Sequence, residues 1–439
     1  MAQSTRLKKN QQVKLTDGRT VTVIGKLGEG GQGTVYEVTV DGTNEKRALK
    51  WYFIDKVLDP KAFFSNIQSN IDTGSPSPHF IWPEALSEWV NGTFGYIMRI
   101  FPREYKSFPK FLNAIVSFSS VEAMVNAALN IVSAFKDLHS KGYNYQDLND
   151  GNFSINPLNG DVMICDNDNV MGYGQSSGVV GKARYIAPEV VRGEKTPDKH
   201  TDRFSLSVIL FMLLLGSHPL EGSKTNVPVL TSKYDKRFFG TEPLFVFDDD
   251  PANRPREGLH QNAIDLWPCL PSYIQDAFKQ SFSQDSMLRL QGRLTDLEWL
   301  HLMVQLKSSL AKCPHCNEEV FVESKSSSMC IDCGGNISAI GYLKFNKKRS
   351  NVEICAPIYE GVVLYDYHMS ETSNNYLEPA AKVLVKPGKF GLGNSSRYTW
   401  TVTSPKGETV TKSKGEVAPL SLGAKIEFSN DNVAEVISN

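Results

Sequence analysis

Four of the seven cysteines form two pairs, Cys313-x2-Cys316 and Cys330-x2-Cys333, with 13 residues between the pairs. Two such knuckles put four thiolates around one tetrahedral Zn2+ and leave no coordination position open for catalysis. The competing assignment is a pair of redox CxxC motifs or an inert set; the spacing favours zinc. His315 lies inside a knuckle and reads as a bystander. Cys165, Cys269 and Cys355 lack partners in sequence and read as packed thiols.

A second constellation suits phosphate chemistry. Gly28-Glu29-Gly30-Gly31-Gln32-Gly33-Thr34-Val35 contains GxGxxG. Alone it is weak, since a glycine-rich hairpin explains it about equally well. A dinucleotide fold needs a helix after the glycines; here a β-branched strand follows, which suits a flap of backbone N–H groups over phosphates. Lys50, on the next strand, can reach what the flap covers. Further on, Asp147 and Asn152 stand five residues apart. They are turn formers in most contexts, but one can accept a hydroxyl proton while the other holds a metal. Val162-Met163-Ile164-Cys165 is a short strand ending at Asp166, where a Mg2+ carboxylate is expected.

The elements around these residues follow from periodicity. Val21-Thr22-Val23-Ile24, Thr34 to Val40 and Arg47 to Tyr52 predict strands. Residues 59–71 predict a helix ended by Ser75-Pro76-Ser77-Pro78. Ser119 and Glu122 have capping-box spacing, and Val121, Met124, Val125, Ala128, Leu129, Val132, Phe135 and Leu138 continue at helical period. Residues 202–215 are apolar nearly all round and predict a buried helix. The layout is a small β-rich lobe, then an α-rich lobe to about residue 308. The cysteine pairs follow. Beyond Lys347-Lys348-Arg349, strands are expected around Lys382 to Val385, Tyr398 to Val402 and Lys425 to Phe428, as in a small sandwich.

Taken in order, these features resemble a eukaryotic-type serine/threonine protein kinase of the bacterial kind over residues 12–308. The resemblance implies an α+β, bilobal kinase fold followed by a zinc ribbon and an all-β sandwich. The implied boundaries are an N-terminal tail (1–11), N-lobe (12–101), C-lobe (102–308), ribbon (309–345) and sandwich (346–439). It implies ATP and Mg2+ as cofactors beside a structural Zn2+. Gly28, Glu29, Gly30, Gly31, Gln32, Gly33 and Val35 match the glycine-rich loop, with Ala48 and Lys50 on the strand beneath. Met98 matches the gatekeeper and Arg99, Ile100 and Phe101 the hinge beside adenine. Asp147 matches the catalytic aspartate, and Asn152 and Asp166 the Mg2+ ligands. Glu189, in Ala187-Pro188-Glu189, is expected to pair with Arg293, with Arg254 as a rival, and Asp202 opens the buried helix.

Several positions depart from the family pattern. Tyr145-Gln146 stands where His-Arg is usual, so a phosphate on the activation segment loses its partner. Activity is therefore expected not to depend on Ser176 or Ser177. Asn149 replaces a lysine, and Gly181-Lys182 stands where Gly-Thr is usual. The metal triplet reads Asp166-Asn167-Asp168. The helix over 59–71 offers no glutamate to Lys50, and Gln68 is the nearest positional match. These departures keep a second reading open, a pseudokinase scaffold that binds nucleotide and recruits partners through ribbon and sandwich.

The last 85 or so residues faintly resemble a forkhead-associated domain, through Gly388-Lys389, Ser396-Arg397 and the strand from Lys425. The phosphothreonine-reading pattern is incomplete, which favours a plain β-sandwich for protein contacts. The ribbon is expected to be separable, so that losing Cys316 unfolds it while the kinase lobes persist. The resemblance also points to protein substrates, and to a metal-dependent phosphatase and a von Willebrand-type protein as partners. Composition bounds the rest. The 439 residues carry 47 Lys+Arg against 48 Asp+Glu, which argues against nucleic-acid binding by bulk charge. The most apolar run, 208–215, is far short of the ~20 residues of a membrane span. The N-terminus has no secretory core, and the cysteine usage suits a reducing compartment; a cytoplasmic protein is expected.

Overall fold

The computed structural model describes residues 6–172, 174–175, 181–229, 231–346, 353–430 and 432–439. Ser176, Ser177 and Lys347-Lys348-Arg349 lie outside the described residues.

The N-terminal part of the chain is built on strands β1 (Gln12–Lys14), β2 (Thr20–Glu29), β3 (Gly33–Val40), β4 (Glu45–Tyr52), β5 (Ala85–Leu86) and β6 (Gly95–Met98). They form one antiparallel sheet in the order β1-β2-β3-β4-β6-β5. In β3 the burial alternates, as expected of a strand with one solvated face, whereas the end of β4 is buried on both faces. Helix α1 (Pro60–Thr73) packs on this sheet, and its N-cap Asp59 accepts from the Lys61 and Ala62 amides. Phe63, Ile67 and Asn70 form its buried face.

The helical region that follows contains α2 (Phe108–Leu112), α3 (Val121–Ser140), α4 (Pro188–Arg192) and α5 (Lys199–Leu215). The N-cap of α3 is Ser120, which accepts from Ala123 N, and not Ser119. The Ser119 hydroxyl instead donates to Leu158 O at 3.0 Å. Helix α5 starts three residues before the expected point, because Asp198 and Thr201 form a capping box. Its residues from Phe204 to Leu215 are buried, so it is the axis of this helical region.

The C-terminal third is not a loose appendage. One apolar cluster runs from Phe135 and Phe211 through Trp299 to Cys313 and Phe321, and on to Trp400 and Phe428. The ribbon's Glu319 carboxylate accepts a hydrogen bond from Val121 N at 2.6 Å, at the N-terminus of α3. Glu323 accepts from Ser272 N at 3.0 Å. Lys307, at the end of the helix Asp296–Lys307, is buried with its ammonium 4.2 Å from the Tyr365 ring centroid.

The ribbon consists of two hairpins, Leu310–Lys312 with Glu319–Phe321 and Ser327–Met329 with Asn336–Ser338. The strand Gly341–Phe345, expected within the ribbon, pairs instead with Ile354–Pro357 and Asn432–Ser438. The all-β region thus begins a few residues earlier than its composition indicates. It has a six-stranded and a four-stranded antiparallel sheet, and both contribute to one core through Val383, Leu392, Trp400 and Ile426. The two halves of the phosphothreonine-like pattern do not meet. Gly388 is in the turn before the strand Lys389–Asn394, and Ser396 follows its other end, roughly 17 Å of strand away. The Ser396 hydroxyl is buried, donating to Asn394 Oδ1 at 2.7 Å and accepting from Trp400 Nε1 at 3.2 Å.

Candidate active site: the cluster around Lys50 and Asp147

The glycine-rich segment closes the β2–β3 hairpin, with Glu29 opposite Thr34 and Gly30 N donating to Gly33 O at 2.9 Å. Gly33 is required sterically, since a Cβ there would lie 2.3 Å from Trp51 O. Glu29 is held by Arg6 at 2.9 Å and Lys26 at 2.7 Å, so the described N-terminal residues brace the loop. Below it, Ala48 pairs with Met98 across β4 and β6. Both join an apolar cluster to which Val35, Ile100, Phe101 and Met163 also contribute. Arg99 turns away, donating to the carbonyls of Pro78 and Phe80 at 3.0 and 3.1 Å. Met163, from the strand Val162–Ile164, carried no signal in the sequence because one methionine on a short strand reads as core.

Lys50 points inward from β4 and is buried. Its ammonium lies 2.7 Å from Asp168 Oδ2 and 3.3 Å from Asp166 Oδ1. Burial alone would lower this lysine; the Asp168 and Asp166 charges override it and hold it well above the usual range. Tyr52 also donates to Asp168 Oδ2. Gln68 does not reach Lys50. Its amide donates to Asp72 Oδ1 at 2.8 Å, one turn along α1. The helix buries Ile67, and the ~100° step to the next residue carries Gln68 off that face. Helix α1 is tied to the metal-triplet loop by neutral amides instead. Asn66 and Asn70 both donate to Val170 O, at 3.0 and 3.1 Å. Asp168 and Tyr52 are therefore site residues that sequence reasoning missed; a second acid inside the triplet was the available signal.

Asp147 and Asn152 are brought together, since Asn152 Nδ2 donates to Asp147 O at 2.8 Å. With that nitrogen committed, Asn152 offers its carboxamide oxygen, and Asp166 offers a half-exposed carboxylate. An oxygen-only donor set fits Mg2+ shared with phosphate oxygens. Asp166 sits in the left-handed region at φ 56°, which Asp tolerates better than most residues. Burial and then the Asp166 charge push the Asp147 carboxyl up to about 6, against the pull of Lys182. Gln146 donates through Nε2 to Gln175 O at 2.8 Å, a neutral tie to the activation segment.

The loop carrying Asp147 is pinned from below. Asp202 Oδ2, on α5, accepts from Tyr145 N at 2.6 Å and from His139 Nε2 at 3.1 Å. His139 Nδ1 reaches Asp296 Oδ1 at 2.9 Å. Burial would lower this imidazole, but the two carboxylates outweigh it and raise it to about 9. Arg293 makes a two-pronged contact with Glu189, each arm at 2.8 Å. Arg254 does not compete, as its guanidinium points to Val246 O at 3.5 Å.

The four cysteine sulfurs of the ribbon all lie within 4.8 Å of one another. Cys313 to Cys333 is 3.7 Å and Cys316 to Cys330 is 3.6 Å. A tetrahedron with arms of about 2.3 Å has edges of about 3.8 Å, so the cluster fits one Zn2+. His315 is not among the four ligands.

Comparison with known proteins agrees with this geometry. The family model for the protein kinase domain matches residues 21–267. The serine/threonine-protein kinase AtPK2/AtPK19 of Arabidopsis thaliana is 29% identical over 209 residues, covering 47% of this chain and 43% of that protein. The probable serine/threonine-protein kinase PknB of Bifidobacterium longum is 34% identical over 101 residues, covering 21% of this chain and 14% of its own length. Protein kinase YegI of Escherichia coli is 23% identical over 330 residues, covering 70% of this chain and 48% of that protein. The chain belongs to the protein kinase family. It spans less than half the length of these curated relatives. No described helix is long and apolar enough to cross a membrane.

Proposed function

We propose that this chain transfers the γ-phosphoryl group of ATP to serine or threonine hydroxyls of protein substrates. The observation that carries the reading is the convergence of Lys50, Asp147, Asn152 and Asp166 in one cluster of side chains. Family membership and the serine/threonine relatives support the substrate class.

Mg2+, when bound, neutralises phosphate charge and orients the γ-phosphoryl group. The chain's own groups do the rest. Asp166 and Asn152 supply the oxygen ligands. Lys50 and the loop amides meet phosphate oxygens, while Ala48, Met98, Ile100, Phe101 and Met163 hold adenine. Asp147 orients the acceptor hydroxyl and takes its proton. The neutral Gln146–Gln175 tie supports activity without a phosphorylated activation segment. The cysteine cluster holds structural Zn2+. A metal-dependent phosphatase and a von Willebrand-type protein belong to this reading as partners, and co-purification tests them.

The decisive experiment is phosphotransfer from labelled ATP with Mg2+, comparing wild type with Asp147→Asn on protein substrates and on the chain itself. Transfer by wild type that vanishes in Asp147→Asn, with nucleotide affinity retained, is the expected result. Equal background in both overturns the proposal. Tight ATP binding without transfer then leaves a nucleotide-binding scaffold.

A further inference from the structure

Phosphoryl transfer spreads negative charge over the equatorial oxygens of the moving group, and a cation positioned there stabilises the transition state. Lys50 answers this need only in part, because its buried ammonium already faces Asp168 at 2.7 Å and Asp166 at 3.3 Å. The loop around Asp147 has no cation of its own: Asp147, Leu148, Asn149 and Asp150 are neutral or acidic.

A cation arrives from another segment. Lys182 Nζ donates to Asn149 Oδ1 at 3.1 Å and lies 3.9 Å from Asp150 Oδ1. Asn149 in turn donates to Asp147 O at 3.1 Å, so the ammonium is one side chain away from Asp147. Gly181 explains the approach. A Cβ at that position would meet Ile186 Cγ2 at 2.7 Å and Asp147 Oδ1 at 3.1 Å, so the activation segment runs directly against the carboxylate. The Lys182 side chain is 62% exposed, against 8% for Lys50. An ammonium has three donors; two of those on Lys50 face carboxylates, whereas Lys182 donates to the neutral Asn149 Oδ1 and keeps more of its charge and donors for a ligand.

We propose that Lys182 is a catalytic residue that contacts the γ-phosphoryl group during transfer, bringing from the activation segment the charge absent at Asn149. The inference rests on the phosphotransfer reading above and deepens it. It makes the centre complete only while residues 181–182 lie against Asp147.

The test uses the full chain and three proteins: wild type, Lys182→Met, and Lys182→Met combined with Asn149→Lys, which moves the cation onto the neighbouring loop. Single-turnover phosphotransfer is measured together with Mg-ATP and Mg-ADP affinity. Lys182→Met is expected to slow transfer by about 100-fold or more, in line with loss of one transition-state donor. It should weaken ATP by about fivefold or more and leave ADP within about twofold, because only ATP carries the γ-phosphate. The double variant should recover at least about tenfold of the lost rate. A Lys182→Met protein that keeps its rate within about threefold overturns the inference and leaves the kinase reading intact. So does a folded, slow variant with equal losses for ATP and ADP, or one that the relocated lysine fails to rescue. If wild type transfers nothing, the kinase reading fails, and the ATP-against-ADP comparison still decides the contact. Lys182→Gln is the second variant if Lys182→Met loses its thermal transition.

Discussion

Asp168 Oδ2 sits 2.7 Å from the Lys50 ammonium, and neither side chain has access to bulk water beyond a few per cent. The partner that holds this lysine therefore comes from the loop after the strand Val162–Ile164, not from α1. Lys50 is anchored without any acid on that helix, which frees α1 from an ion-pairing role.

Removing the acid should be costly and adding one to α1 should not help. Asp168→Asn leaves a buried ammonium short of charge, so a loss of about 3–5 kcal/mol of stability is expected, read by urea unfolding. Gln68→Glu should change turnover by no more than about threefold, since the new carboxylate faces Asp72 rather than Lys50. A large gain in rate would mean that α1 rotates to meet Lys50 in the working enzyme.

Without bound metal the Asp147 carboxyl should titrate near pH 6, and the acid limb of the Mg2+-dependent rate should lie at or below that pH, since a cation on Asp166 offsets part of its push. Burial, then Asp166, with a smaller push from Asp168, raise Asp147 to about 6, while Lys182 and Asn149 oppose them. A carboxylic acid cannot take a hydroxyl proton, so the single-turnover rate is expected to fall tenfold per unit below that limb. Lys182→Met removes the opposing cation and should move the limb upward. A metal-free titration at the ordinary carboxylate position near 4 would contradict the burial of Asp147.

His139 makes a separate, stability-linked prediction. Its folded value of about 9 lies above the ordinary 6.5. The folded state therefore holds the proton more tightly, and the contribution is complete below pH 6.5 and lost as pH rises through 9. Its size is about 3 kcal/mol. The gap in unfolding free energy between wild type and His139→Gln should shrink across that window. A constant gap would mean that the imidazole is neutral between Asp202 and Asp296.

Zinc removal should be felt in the kinase lobe. Elemental analysis is expected to find about one Zn2+ per chain. Cys316→Ser should release it and loosen the hairpin that carries Glu319, the residue accepting from Val121 N at 2.6 Å. Loss of that contact alone should cost α3 about 0.5–2 kcal/mol, the range for an N-terminal cap. Faster amide exchange in the first turn of α3 is the measurement. Unchanged exchange there would restore the picture of a separable ribbon.

Much of this protein could be read from local pattern. The strand–glycine–strand run, the helical period through Val121 and Leu138, the all-apolar stretch of α5 and the two CxxC pairs each carry their meaning within 25 residues or fewer, because backbone periodicity and ligand spacing are short-range properties. The order of Lys50, Asp147, Asn152 and Asp166 added the class of chemistry. What tertiary structure decided is the pairing of charges. Lys50 meets Asp168 across 118 residues, and of the two arginines expected for Glu189 it is Arg293, 104 residues away, that reaches it. Lys182 returns to Asn149 across 33, and Glu319 reaches Val121 across 198. An ion pair depends on which side chains share a desolvated space, and no spacing along the chain encodes that. Gln68 was the position-by-position choice for Lys50; the 3.6-residue turn of α1 pointed it elsewhere, and a buried aspartate took its place.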